Sequence, residues 1–299
     1  MTQISQRIVG HIDGGIFAVA GYYSETDSMR HVVVATLDGS LYEMHWNSRT
    51  PTTPPFKLAQ FPGLAGVVGF FATDNNSQYV LAATRDGNVH GLHFQSLQNI
   101  EVRSPLIFLQ NMVAVIGMAG FFSSNDAMRH AIVLDQQGQL HEVTFSLSRQ
   151  PVVKNFPTQL ALQDIASISG FFASDDKSSH VIVALKNGRL YDGNYSGDPQ
   201  NASATFLTAF DDHLVNVAAL FSPDTGHRHA VVLTSKGELY DSFYSHGGTP
   251  SKQLLASFSN VADMVAFYSG DDQYRHLMVA TNDGNIHEIY YPSLEPGGF

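Results

Sequence analysis

A single pattern recurs six times along this chain and restricts what it can fold into. The copies read RHVVVATLDGSLYEMHW, QYVLAATRDGNVHGLHF, RHAIVLDQQGQLHEVTF, SHVIVALKNGRLYDGNY, RHAVVLTSKGELYDSFY and RHLMVATNDGNIHEIYY. Their turn glycines are Gly39, Gly87, Gly138, Gly188, Gly237 and Gly284, spaced 48, 51, 50, 49 and 47 residues apart. An apolar run, a glycine turn and a second run rich in β-branched and aromatic residues describe a hairpin. Before each hairpin lies a run of small residues ending in large apolar ones, such as VAGYYS, VVGFFA and MAGFFSS. From Gly21, Gly69, Gly120, Gly170, Ala219 or Ala266 in that run, the next strand opens ten residues later in every copy. Length varies only between repeats, which marks those stretches as surface loops. A further short run, FKLAQF or KQLLASF for example, completes each unit.

Four strands repeated at this period make propeller blades. The fold class expected is therefore all-β: a six-bladed β-propeller with four-stranded blades, one domain over residues 1–299. The last unit stops after its third strand, NIHEIYY, while the chain begins with an unmatched strand-like run, ISQRIVGHI. The N-terminal run is expected to supply the missing strand and close the ring, removing two open sheet edges. The small first-strand residues Gly21, Gly120 and Ala219 suit the crowded wall of a central channel, and the tail PSLEPGGF reads as a loose end.

The hairpin register decides which side chains share a face. A two-residue turn of type I′ needs positive φ at both central residues, which Gln137 and Lys236 resist. A three-residue loop needs it only at the glycine and suits all six copies. In the third copy the loop is then Gln136-Gln137-Gly138, with Ile132 facing Glu142 and His130 facing Thr144. This places His130 and Glu142 diagonally on one face, within mutual reach.

Comparison of the repeats supports that contact. Five copies carry His at the first position (His31, His130, His180, His229 and His276) and an acid twelve residues later (Glu43, Glu142, Asp192, Asp241 and Glu288). The second copy has Tyr79 and Gly91 instead, so histidine and acid are lost together. Arg30, Arg129, Arg228 and Arg275 precede four of the histidines, on the opposite face. Two readings follow. Buried pairs of this kind can satisfy one another between blades, with Asp27, Asn75, Asp126, Asp176 and Asp272 capping the adjoining turns. Alternatively, carboxylate and imidazole can grip sugar hydroxyls, with Tyr42, Tyr191 and Tyr240 offering ring faces from the other side of the hairpin toward a cleft shared between blades. Trp46, Tyr195, Tyr244 and Tyr291 lie on that side as well.

This plan resembles the six-bladed fucose-binding lectins of fungi and bacteria, and the DGxLY hairpin is similar to tectonin-type propellers. The resemblance implies a multivalent carbohydrate-binding protein whose partners are glycans or glycoconjugates. In the fucose family an Arg and a Glu on adjacent strands hold the sugar. By position the Glu corresponds to Glu43, Glu142 and Glu288, with Asp192 and Asp241 as shorter versions, whereas the Arg position holds His. A non-catalytic protein-interaction scaffold is the alternative.

The remaining composition narrows the field. A net charge of −11 without a basic run disfavours nucleic acid and anionic membranes as partners. With no cysteine there is neither a disulfide framework nor a thiolate metal site. His90 and His93 fall on opposite strand faces, the paired aspartates in loops lack an ordered calcium pattern, and neither phosphate-loop nor hydrolase motifs occur. No metal, cofactor or catalysis is expected, since near-equivalent blades favour repeated binding. The polar start, MTQISQRIVGHIDGG, lacks a signal-peptide core, so the expectation is a soluble protein, cytoplasmic as synthesised and open to non-classical export.

Overall fold

Blade one shows how each repeat is built. β2 (Ile16–Ser24), β3 (Met29–Thr36), β4 (Ser40–Trp46) and β5 (Phe56–Gln60) form one antiparallel sheet in chain order. The pattern repeats from β6 (Leu64–Ala72) to β21 (Ser251–Ser257), giving four more sheets. The sixth sheet contains β22 (Val261–Ser269), β23 (Tyr274–Thr281), β24 (Asn285–Tyr291) and β1 (Ser5–His11). β1 pairs antiparallel with β24, Arg7 opposite Glu288, and closes the ring as expected. This computed structural model describes residues 4–97, 99–108, 114–146, 148–157 and 164–292. Most of the expected loose tail and part of the fourth-strand run of blade two lie outside them. Among the described residues the only helical segment is a single 3₁₀ turn, Pro199–Asn201, so no helix is long and apolar enough to cross a membrane.

The core is distributed between the blades. Six apolar clusters each span one pair of neighbours. This explains why the second strands read as unbroken apolar runs: a strand covered on both faces has no wet side for polar residues. Val32, Val33, Val34 and Ala35 are accordingly fully buried. The first strands line the channel, a cavity of about 310 Å³. Their small residues admit rings from the adjoining blade; a side chain at Gly69 would meet the Tyr22 ring at 2.8 Å. One channel wall is polar. There Asp263 accepts hydrogen bonds from the Val19 N–H and the Asn216 amide, and desolvation pushes its carboxyl up to about 6.

The hairpin register matches the three-residue loop. In blade three Ile132 pairs with Glu142 and His130 with Thr144, while the Gly138 N–H donates to the Asp135 carbonyl. Each turn glycine has positive φ, +80° at Gly138, whereas Gln136 and Gln137 do not. At Gly237 a side chain would also collide with the Phe258 carbonyl of the same blade.

Candidate functional site: interblade relays and clefts

All five histidine–acid pairs form. The histidine Nδ1 lies 2.7 Å from Glu43, 2.8 Å from Glu142, 2.9 Å from Asp192, 2.8 Å from Asp241 and 2.9 Å from Glu288. The strands position them as the register requires, side by side on the face turned toward the next blade. There four of the five acids meet a further donor. Tyr195 O–H donates to Glu142 of the preceding blade, Tyr244 to Asp192 at 3.1 Å, Tyr291 to Asp241 at 3.1 Å, and Trp46 Nε1–H to Glu288 at 3.2 Å. On the other side, the imidazole Nε2 of His31, His180 and His276 faces Asp27, Asp176 and Asp272 at 3.1–3.3 Å. The same aspartates accept backbone N–H groups two residues on, so they both cap the turn and orient the ring. His130 is 3.5 Å from Asp126.

In blades three, four and six the relay therefore runs from a loop carboxylate at the rim, through histidine and a buried acid, to a ring donor on the next blade, while Thr225 replaces the loop acid in blade five and Phe94 the ring donor to blade one. The four acids Glu43, Glu142, Asp241 and Glu288 have no exposed surface, and Asp192 is 4% exposed. Burial opposes charge on His31 and His130, yet hydrogen bonds and attraction from their flanking carboxylates lift both above the ordinary imidazole value. Burial likewise opposes ionisation of Glu43 and Glu288, but the histidines, with Arg7 at Glu288, hold both below the usual carboxylate range. Burial and the adjacent acids push the Tyr195, Tyr244 and Tyr291 hydroxyls well up, so they remain donors.

The arginines point the other way, toward the preceding blade. Arg129 reaches Asp74, Arg228 reaches Asp175 and Asp176, Arg275 reaches Asp224, and Arg30 reaches Asp271 and Asp272. Two of the three aspartate pairs weighed as calcium ligands, Asp175-Asp176 and Asp271-Asp272, thus hold guanidinium groups. Gln78 of blade two keeps the direction, donating to Asp27 at 3.2 Å.

Tyr42, Tyr191 and Tyr240 are half-buried at the opposite end of the blade, near the glycine turns. This column contains His90, His141 and His287 in the other blades. Its rings meet aromatics that follow the fourth strand of the preceding blade: His90 stacks on Phe61 at 4.3 Å, Tyr240 lies 5.7 Å from Phe210, and His287 lies 5.1 Å from Phe258. Between blades five and six a cleft of about 360 Å³ opens beside the last pair. Phe258, Ser259, Asn260, Asp283, Asn285 and His287 line it. Desolvation lowers the His287 pKa, so the ring is neutral at pH 7 and offers both a donor and an acceptor. Sequence reasoning identified the tyrosines of this column but missed Phe258, Asp283 and His287. The phenylalanine that follows four of the fourth strands, Phe61, Phe156, Phe210 and Phe258, was the available signal.

A ring of six four-stranded blades, closed by its own N-terminal strand and joined by polar relays, defines the class: a six-bladed β-propeller. Solved structures with this fold include AofleA from Arthrobotrys oligospora (TM-score 0.70, 13% identity, covering 97% of this chain and 90% of that one). The fucose-specific lectin from Aleuria aurantia is also similar (0.66, 10%, 97% and 100%), and so is the BP39L lectin from Burkholderia pseudomallei (0.63, 15%, 93% and 82%). The Aleuria lectin has been solved as a mutant in complex with alpha-methyl-L-fucoside. No family model and no curated protein matches the sequence.

Proposed function

We propose that this protein is a non-catalytic, multivalent carbohydrate-binding propeller whose ligand sites lie in the interblade clefts. The observation that carries this reading is the composition of the blade five–six cleft: a phenyl ring, a neutral imidazole, a carboxylate and side-chain amides and hydroxyls around about 360 Å³. Directional polar groups beside an apolar ring suit a neutral polyol, and the volume falls in the range of small-molecule sites. The likeness of fold to fucose-binding lectins supports the same ligand class. The buried relays hold the cleft walls in place: His31–Glu43, His130–Glu142, His180–Asp192, His229–Asp241 and His276–Glu288. Contact with sugar falls to the half-exposed rings, Tyr42, Tyr191 and Tyr240 with their histidine equivalents. Repetition around a rigid ring turns weak single sites into avidity on a clustered glycan surface.

A glycan array followed by titration calorimetry tests this. Binding is expected for at least one class of glycan, weakened tenfold or more by Phe258→Ala with Asp283→Asn. Absence of binding across the array, or affinity unchanged in the double variant, rejects the assignment. A protein-interaction scaffold is the second reading. It is favoured by the half-buried aromatic ring at the other channel mouth, formed by Tyr23, Phe71, Phe122, Phe172, Phe221 and Tyr268.

A further inference from the structure

Blade one departs from the relay pattern. The acid Glu43 should meet a ring donor from blade two, but the residue there is Phe94, which has none. A second imidazole fills the gap: His45 Nδ1 lies 3.1 Å and 3.3 Å from the two Glu43 oxygens, while His31 Nδ1 lies 2.7 Å from the first. The three donor atoms lie within 4.8 Å of one another. No other blade combines these groups. The position of His45 holds Thr144, Asn194, Phe243 and Tyr290 where an acid is present, and His93 where it is absent.

We infer that His31 Nδ1, Glu43 and His45 Nδ1 form a binding site for a divalent transition ion of the zinc type. Two imidazoles and a carboxylate are a familiar zinc donor set; the His45–Glu43 separations of 3.1 and 3.3 Å are close to the spacing of about 3.3 Å implied by bonds of about 2.0–2.1 Å in tetrahedral geometry, while the His31–Glu43 contact, now at hydrogen-bond distance, would have to open to admit the ion. The support around the site is independent of the donors themselves. Both His31 nitrogens face carboxylates, Nδ1 on Glu43 and Nε2 on Asp27 at 3.1 Å; displacement of the Nδ1 proton by an ion would leave Nε2–H donating to Asp27, and this carboxylate–histidine arrangement orients metal ligands and raises their basicity. Tyr22 stacks on the His31 ring at 5.1 Å and 8°, fixing its plane. The charge is also suited to a dication. Glu43 is wholly buried, and among the described residues no Arg or Lys forms an ion pair with it, whereas Glu288 has Arg7 and Arg30. His45 keeps 26% of its side chain exposed, which gives an ion an entry path and leaves the fourth position to water.

The test is zinc titration by calorimetry on the full chain after chelation and dialysis, with cobalt substitution monitored by its visible absorption. The expected result is one ion per chain, with the bands of a tetrahedral cobalt centre. His45→Thr, which imports the residue of blade three, should retain the propeller fold with some loss of stability, since Glu43 loses a donor, and should lose the ion. Asp27→Asn should keep the stoichiometry and weaken affinity about 10–100-fold. Failure to take up zinc stoichiometrically, or uptake unchanged in His45→Thr, overturns the assignment. Circular dichroism of both variants separates loss of the site from loss of the fold.

Discussion

The interface between blades two and three and the one between blades three and four solve the same problem in opposite ways. At the second, His130, Glu142 and Tyr195 form a buried polar relay. At the first, every member has changed. Tyr79 stands for the histidine, Gly91 for the acid and Phe145 for the ring donor, while Asn75 replaces the loop aspartate and donates to the Tyr79 hydroxyl at 2.9 Å. Leu106 packs toward the space that an acid would fill, 3.5 Å from a side chain built at Gly91, and the Arg129 guanidinium lies over the Tyr79 ring at 4.8 Å. The cavity left there is about 20 Å³, room for roughly one water. The relay is thus one complete way of joining blades, and between blades two and three it is replaced whole. That follows from the physics of buried charge: a half-satisfied network costs more than an apolar contact.

The sharpest way to break this comparison is to leave a relay incomplete. Glu142→Ala strands the His130 ring and the Tyr195 hydroxyl inside the interface, and should cost about 3–5 kcal/mol. Denaturant unfolding would measure it. Importing the remainder of the blade two set, as His130→Tyr, Glu142→Gly and Tyr195→Phe together, should recover at least half of that loss. If the triple variant is no more stable than Glu142→Ala, the two interfaces are not equivalent solutions.

Removing only the donor should cost less. Tyr195→Phe leaves Glu142 buried with His130 alone, and hydrogen bonds to charged groups contribute about 1.5–3 kcal/mol. Phe145→Tyr is the converse, placing a hydroxyl opposite Gly91 with no acid to receive it, and should destabilise rather than stabilise. A stabilised Phe145→Tyr protein would contradict the pairing.

The folded-state pKa of His130 lies above its ordinary value because Asp126 and Glu142 outweigh burial. The native state therefore binds this proton more tightly than the unfolded chain. The stabilisation is fully present below the unfolded imidazole value of about 6.5 and disappears as pH rises through the higher folded value. Unfolding free energy measured from pH 6 to 9 should fall with pH. Replacing His130 with Tyr as part of the triple variant should flatten its share of the slope; an unchanged slope would remove His130 as a contributor.

Much of this was legible in the sequence, for identifiable reasons. A turn glycine that alone takes positive φ fixes the register, and the joint loss at Tyr79 and Gly91 exposes the contact across the hairpin. The direction of the faces was not legible. Trp46, Tyr195, Tyr244 and Tyr291 were read as rings available to a sugar, whereas all four donate to the acid of the preceding blade. The signal was present one repeat out of step, since Phe145 follows the blade that has Gly91. Using it requires knowing which neighbour each face meets, and that is a property of the closed ring. The cleft at Phe258, Asp283 and His287 was obscure for the same reason, being built from two blades.

The smallest effect is expected at the rim, where the relay meets water. Asp126 keeps 36% of its side chain exposed and lies 3.5 Å from His130. Solvent screens that pair, so Asp126→Asn should cost under about 1 kcal/mol. The chain itself provides the precedent: Thr225 occupies this position in blade five, and His229 still holds Asp241 at 2.8 Å. Asp176 is the same position in blade four, but it is 12% exposed and receives Arg228 at 2.6 Å as well as His180. Asp176→Asn should therefore cost clearly more than Asp126→Asn. Equal losses would mean that the loop acids act as turn caps alone, because both cap the N–H two residues on and only their ion pairs differ.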